Sequence, residues 1–260
     1  MINHKSSKKS KLFSVILSPV IFILIWYITA FFVNAVLILP FPHQVVVRLI
    51  ALVQTKSFWL SFGLTVLRVF ISLLISFVLG FVLGILSADY GLVNKLLVFP
   101  LNVIRATPLV AFILLALFWF KSGTVPVFVA VLMSLPVMLT ASQNGFEKNQ
   151  ENQEKLFKAE SRGFKGISAF VYIRLPGAMP SVLSGAESAF GLCWKVVAAG
   201  EVLSIPQLAA GSLMQRAQVH LETVDVFAIT AALVMVSVVC QWGLKFVSDK
   251  FSSKKHEKAL

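Results

Sequence analysis

FKAESRGFKGISAFVYIRLP, residues 157 to 176, is the stretch on which the fold of this chain turns, because it is charged and well patterned between long apolar runs. From Glu151 to Arg162 there is no Gly or Pro and good helix formers dominate. Gly163 then stops the helix as a C′ residue, and a second short helix fits Ile167 to Arg174 ahead of Pro176. Leu156, Phe157 and Glu160 fall within one turn of the first helix, while Ile167, Phe170, Val171 and Arg174 make a mostly apolar stripe on the second. Helix, glycine turn, helix, with an apolar knob and a charged rim, suits docking into a groove of another protein.

On either side the composition is that of a polytopic membrane protein: 260 residues, 58% hydrophobic, 13% charged and a mean hydropathy of +0.87. The first apolar run extends from near Ser14 to Leu39, longer than the ~7 to 15 residues of a signal-peptide core and ample for a ~30 Å hydrocarbon slab. Pro40-Phe41-Pro42 ends it, and residues 43 to 61 read as a short external helix. Further runs at about 62 to 86, 97 to 119, 124 to 142, 180 to 203 and 226 to 247 make six in all, so both termini return to one side. Sixteen Lys and Arg fall in the tails, the 87 to 96 turn and the central loop, against four on the opposite side, Arg48, Lys56, Lys121 and Arg216. That asymmetry puts both termini and the central loop in the cytoplasm. It also accounts for the net charge of +12 without a nucleic-acid partner. The expected organisation is a basic cytoplasmic tail at 1–12, a six-helix membrane domain at 13–250 with a cytoplasmic loop at 143–177, and a second tail at 251–260.

Within the spans, Gly80 and Gly84 have the small-residue spacing of close helix packing. Pro100 and Pro108 predict a kinked or re-entrant third span, and Pro126 suits a first helical turn. The fifth span carries Glu187, Lys195 and Glu201. An ionised group near mid-membrane costs a few kcal/mol, so these should face a protein interior or a wet path. Two readings stand side by side: a translocation pathway lined partly by Lys195, or a packing role, as an ion pair that fixes the helices or with Glu201 snorkelling near the outer end. Residues 206 to 225 read as an external gate or a plain interfacial helix. Cys193 and Cys240 sit in apolar runs as inert thiols, and the four histidines form no metal constellation. The chain has no Gly-x-x-x-x-Gly-Lys-Ser/Thr, no His-Glu-x-x-His and no Gly-x-Ser-x-Gly, so neither an ATP site of its own nor catalytic residues are expected.

The pattern Ala159, three residues, Gly163, nine residues, Ile173, one residue, Leu175-Pro176 resembles the cytoplasmic EAA loop of permease subunits of binding-protein-dependent ABC importers, with Phe157 and Lys158 where Glu and Ala are usual. Leu39-Pro-Phe-Pro-His-Gln-Val45, Arg105-Ala-Thr-Pro108, Trp194-Lys195 and Ala199-Gly200-Glu201-Val202 are similar to the nitrate, sulfonate, taurine, bicarbonate and thiamine-precursor branch. Gly200-Glu201 and Ala209-Ala-Gly211 stand where that branch usually has Ala-Glu and Gly-Leu-Gly. The resemblance implies an all-α type I importer fold of six transmembrane helices in a bacterial cell membrane. It implies a coupling loop of Phe157, Lys158, Ala159, Glu160, Gly163, Ile173, Leu175 and Pro176 seated on an ATPase, and a pathway for a small solute for which Lys195, Glu187, Glu201 and Arg105 are the candidates. Two ATPase subunits that bind the ATP, an extracytoplasmic substrate-binding protein, a second permease copy and membrane lipid are the implied partners. A secondary transporter or channel without an ATPase is the alternative.

Overall fold

In the computed structural model residues 8 to 147 and 167 to 256 are described, and every regular element among them is a helix. In chain order these are α1 (Lys8–Val33), α2 (Pro42–Val53), α3 (Lys56–Asp89), α4 (Gly91–Ala106), α5 (Leu109–Ala116), α6 (Val125–Phe146), α7 (Ile167–Ser204), α8 (Ala210–Val219) and α9 (Thr223–His256). Phe157, Lys158, Ala159, Glu160 and Gly163 lie outside the described residues.

Four helices are long and apolar enough to cross a membrane: α3, α6, α7 and the Thr223–Phe246 part of α9. The pair α4 and α5, bent by 98° at Thr107-Pro108, forms a fifth, broken span or a re-entrant loop. The sixth apolar run is α1, 26 residues long, in which Phe22, Phe31 and Phe32 are exposed, as on a lipid-facing surface.

Several boundaries differ from the sequence reading, each for a local reason. The external helix stops at Val53 and the next begins at Lys56, because Thr55 turns extended and its hydroxyl accepts a hydrogen bond from the Phe58 N–H at 3.4 Å. Pro100 is carried inside α4. The break falls instead at Thr107, whose backbone is extended as a residue preceding proline prefers. Pro176 does not end the second short helix, so Ile167 to Ser204 is one helix of 38 residues. A π-helical turn at Phe170–Arg174 makes this possible: the Leu175 N–H reaches back to the Phe170 carbonyl, and the widened turn eases the clash a proline ring otherwise makes with the preceding turn. At the other end, α9 continues past residue 250 to His256.

The centre of the bundle is α3, α6 and α7. Lipid tails supply no hydrophobic drive between helices, so close packing and short polar bridges hold them. Gly80 and Gly84 let α3 lie directly on α6: a Cβ at Gly80 would stand 2.5 Å from the Met138 Cβ, and one at Gly84 would run into Ser142. The hydroxyls of Ser76 and Ser134 meet across the same seam at 2.6 Å. Val69, Val129, Met138, Val182 and Phe190 are fully buried around it.

Candidate functional site: a polar face between two locked ends

At the Ser204 end of the bundle Glu201 is completely buried and fully answered. Its carboxylate accepts from Arg68 Nη1 at 2.7 Å, Thr65 Oγ1 at 2.8 Å and the Gly211 N–H at 3.1 Å. The Thr65 hydroxyl in turn accepts from the Ala210 N–H at 3.0 Å, and Arg68 also donates to the Leu208 carbonyl at 3.1 Å. One carboxylate thus ties α3, α7 and the first turn of α8 together. Gly211 is required there, since its Cβ would stand 2.6 Å from that of Glu201. The connection leaves α7 through Ile205 at φ 47°, a left-handed conformation that a β-branched residue adopts at a cost, which the surrounding bonds offset. Nearby, Arg48 makes a two-pronged pair with Asp225 (2.5 and 2.7 Å), joining α2 to the start of α9. That hydrogen bond raises the Arg48 pKa against the opposing effect of desolvation, so the guanidinium stays charged.

The opposite end is locked by Arg174, whose guanidinium grips Asp89 at 2.6 and 3.2 Å. It also lies 5.9 Å from the ring centroids of both Phe146 and Phe170, which stack on each other at 5.8 Å. Phe146 closes α6 and Phe170 opens the π-turn of α7, so both helices that border the 147 to 166 connection are pinned to α3 here.

Between the locks, α7 turns a polar stripe outward. Ser184, Ser188 and Lys195 are exposed and project within about 40° of one another at 100° per residue. A cavity of about 500 Å³ on this stripe is lined by Glu187, Ser188, Lys195 and, from α9, Gln241 and Lys245. A second, of about 430 Å³, is lined by Arg105, Thr140, Asn144, Ser181, Ser184 and Ser188. Ser188 borders both. Arg105 is held by α6, with its Nη2 donating to Thr140 Oγ1 at 2.6 Å and to the Pro136 carbonyl at 3.4 Å. Among the described residues no carboxylate lies within ion-pair distance of Arg105 or Lys195.

Of the residues proposed from sequence, Glu187 and Lys195 share one cavity and Arg105 lines the adjoining one. Glu201 is placed elsewhere: it is withdrawn from the polar face and paired with Arg68, because the 205 to 211 connection folds over it. Ile173 in the π-turn of α7, and Leu175 and Pro176 directly after it, are half-buried. Sequence reasoning missed Arg68 and Thr65 as partners of Glu201. The signal was present in two opposite charges near same-side ends of their runs, Arg68 six residues into the one at 62 to 86 and Glu201 two residues before the end of the one at 180 to 203. It also missed Ser184 and Ser188, which share the helical period of Lys195 but carry no charge. Among the described residues no group of His, Cys, Asp and Glu could hold a metal ion.

The geometry is that of a bundle of apolar helices, locked at both ends and bearing a polar, cation-bearing face between them. The chain belongs to the family described as binding-protein-dependent transport system inner membrane component, which matches residues 80–252. It is thus the permease subunit of a binding-protein-dependent ABC importer, a multi-pass membrane protein of a transport family and not of an enzyme family, working with an ATPase and a substrate-binding protein. A protein of Methanocaldococcus jannaschii named as an ABC transporter permease is 26% identical over 264 residues, covering 96% of this chain and 97% of that protein. The taurine transport system permease protein TauC of Escherichia coli is 24% identical over 234 residues, 87% of this chain and 84% of its own. The aliphatic sulfonates transport permease protein SsuC of the same organism is 28% identical over 141 residues, 54% and 52% of the two chains.

Proposed function

We propose that this permease conducts a small solute of the taurine and sulfonate kind along the serine stripe of α7, driven by ATP hydrolysis in separate subunits. The stripe carries the reading. Three polar residues on the outward face of a helix packed among apolar spans gain nothing against lipid, whereas in a wet path they replace solvent for a passing solute. Glu187, Lys195 and Arg105 line the same face, and the names of TauC and SsuC point to the solute class.

The coupling element is the 157 to 176 segment, in which Phe157, Lys158, Ala159, Glu160 and Gly163 engage the ATPase and Ile173, Leu175 and Pro176 carry the motion into α7. The pinning of Phe146 and Phe170 by Arg174 gives that motion a rigid point of entry on both bordering helices. One bundle presents only one wall, so the working unit is a homodimer about a two-fold axis, with two ATPases on the Asp89 side and a substrate-binding protein on the Ser204 side. Both termini and the 1–12 and 251–260 tails are cytoplasmic, flanking the 13–250 membrane domain and its 143–177 loop.

Two measurements test this. Ser188→Cys should react with a water-soluble thiol reagent and lose taurine uptake on modification; a buried, unreactive Ser188→Cys would remove the path from this face. Cysteines introduced singly at Gln150 and Gln218 should be labelled by an impermeant reagent from opposite sides of the membrane, and labelling of both from outside intact cells would overturn the six-span assignment.

A further inference from the structure

Of the five arginines in the described helices, Arg48, Arg68 and Arg174 face a carboxylate, Asp225, Glu201 and Asp89 respectively, and the exposed Arg216 donates to the Gln207 carbonyl. Arg105 is different. Its Nη2 is anchored on the neutral oxygens of Thr140 and Pro136, which fixes the plane of the guanidinium. Its remaining N–H donors have no partner among the described residues and border a cavity of about 430 Å³. The other walls supply hydrogen-bond groups of no net charge: the Asn144 amide and the hydroxyls of Ser181, Ser184 and Ser188. The Ser181 and Ser188 hydroxyls already donate, to the Ala141 and Ser184 carbonyls, while that of Ser184 makes no hydrogen bond among the described residues. A fixed cation amid neutral donors, with no carboxylate within ion-pair distance among the described residues, is an anion receptor. A planar fork favours an anion whose charge is spread over two or more oxygens.

We infer that the Arg105 cavity is an oxyanion-binding subsite that takes the sulfonate or carboxylate headgroup of a small solute, with Thr140 positioning the guanidinium. This rests on the pathway reading above and adds to it a particular recognition point and ligand chemistry. A solute entering from the Ser204 side would meet Lys195 first and then, across Ser188, exchange its hydration for Arg105 and the Ser184 hydroxyl in the adjoining cavity. A lipid phosphate has the same chemistry and must be separated from a dissolved solute by experiment.

The full-length chain, reconstituted in phosphatidylcholine nanodiscs, should bind radiolabelled methanesulfonate saturably. Acetate should displace it and methylammonium should not. Arg105→Gln should weaken binding roughly tenfold or more, as loss of a charge-assisted hydrogen bond does, with Arg105→Lys retaining a larger share and Thr140→Ala falling between. Should Arg105→Gln fail to fold, Ser184→Asp, at an exposed position, sets a carboxylate in the cavity and must abolish binding. No saturable binding by the wild type, or binding unchanged by these variants, overturns the subsite. Addition of phosphatidylglycerol should leave methanesulfonate binding in place; displacement by it would assign the cavity to lipid headgroups and overturn solute recognition. Ser188→Cys reactivity separates the two levels: a reactive Ser188→Cys with no anion binding removes the subsite alone, and anion binding beside an unreactive Ser188→Cys removes the path alone.

Discussion

Glu201 and Lys195 lie under two turns apart on one helix, yet they live in opposite regimes. Glu201 is fully buried and meets an arginine, a threonine hydroxyl and a backbone N–H; Lys195 is exposed in a cavity and meets no carboxylate within ion-pair distance among the described residues. The difference teaches how a membrane bundle sorts its charges. Glu201, which ties helices together, is saturated and withdrawn from the polar face, whereas Arg105, Lys195 and Glu187 on that face make no ion pair among the described residues. Removing a charge from the first set should cost stability, and removing one from the second should cost recognition.

The largest effect belongs to Glu201. Glu201→Ala leaves Arg68, whose side chain is only 14% exposed, without its counter-ion, and strands the Thr65 hydroxyl and the Gly211 N–H. Breaking one side of a buried pair costs about 3–5 kcal/mol, so the variant should melt far below wild type in detergent. Glu201→Leu combined with Arg68→Leu should recover part of the loss. Wild-type melting of Glu201→Ala would erase the distinction between the two regimes.

Gly84→Leu tests whether packing rivals charge in holding α3 to α6. The new side chain would drive into Ser142 on α6, and overpacking of this kind costs about 1–3 kcal/mol. Helices can part slightly, whereas a buried charge cannot be diluted, so the loss of melting temperature should be smaller than for Glu201→Ala.

Much of this arrangement was legible in the sequence, and the gaps have physical causes. Hydropathy located the apolar runs because a lipid-facing helix must be apolar over its length, and Pro108 was rightly suspected of breaking the third. The start of α3 was hidden because Lys56 to Leu60 mixes polar and aromatic residues, and the deciding event, the Thr55 cap, is a single hydroxyl. The passage of α7 through Pro176 was unreadable because a π-turn leaves no compositional mark. The Glu201–Arg68 pair was obscured for a different reason: its partners lie far apart in the chain, and the nearer cation, Lys195, offered a competing local explanation.

Arg174→Gln probes the second lock. Arg174 and Asp89 are 20% and 26% exposed, so solvent screens them and the pair contributes only about 0.5–1 kcal/mol. Melting should shift slightly. Substrate-stimulated ATP hydrolysis in the assembled importer should instead separate from uptake, because α7 and α6 lose their common anchor at the border of the 147 to 166 connection. Normal uptake per ATP in Arg174→Gln would show that the anchor is not the route of coupling.

The smallest change in stability is expected at Lys195, the residue that separates a structural charge from a functional one most cleanly. Were it bonded to Glu187 or Glu201, its loss would leave a carboxylate unpaired. Glu201 already has Arg68, and among the described residues Glu187 has no cation within 4.0 Å, so Lys195→Ala should melt with wild type. Its ammonium borders the cavity next to the one that holds Arg105, and the two cations face groups that are mostly neutral. Removing it should therefore lower uptake of an anionic or zwitterionic solute, and Lys195→Arg should restore part of that uptake by keeping the charge. A double-mutant cycle with Glu187→Ala on melting temperature decides the matter. A coupling energy near zero together with reduced uptake keeps Lys195 on the path, whereas strong coupling with uptake regained in the double variant would make it one more lock.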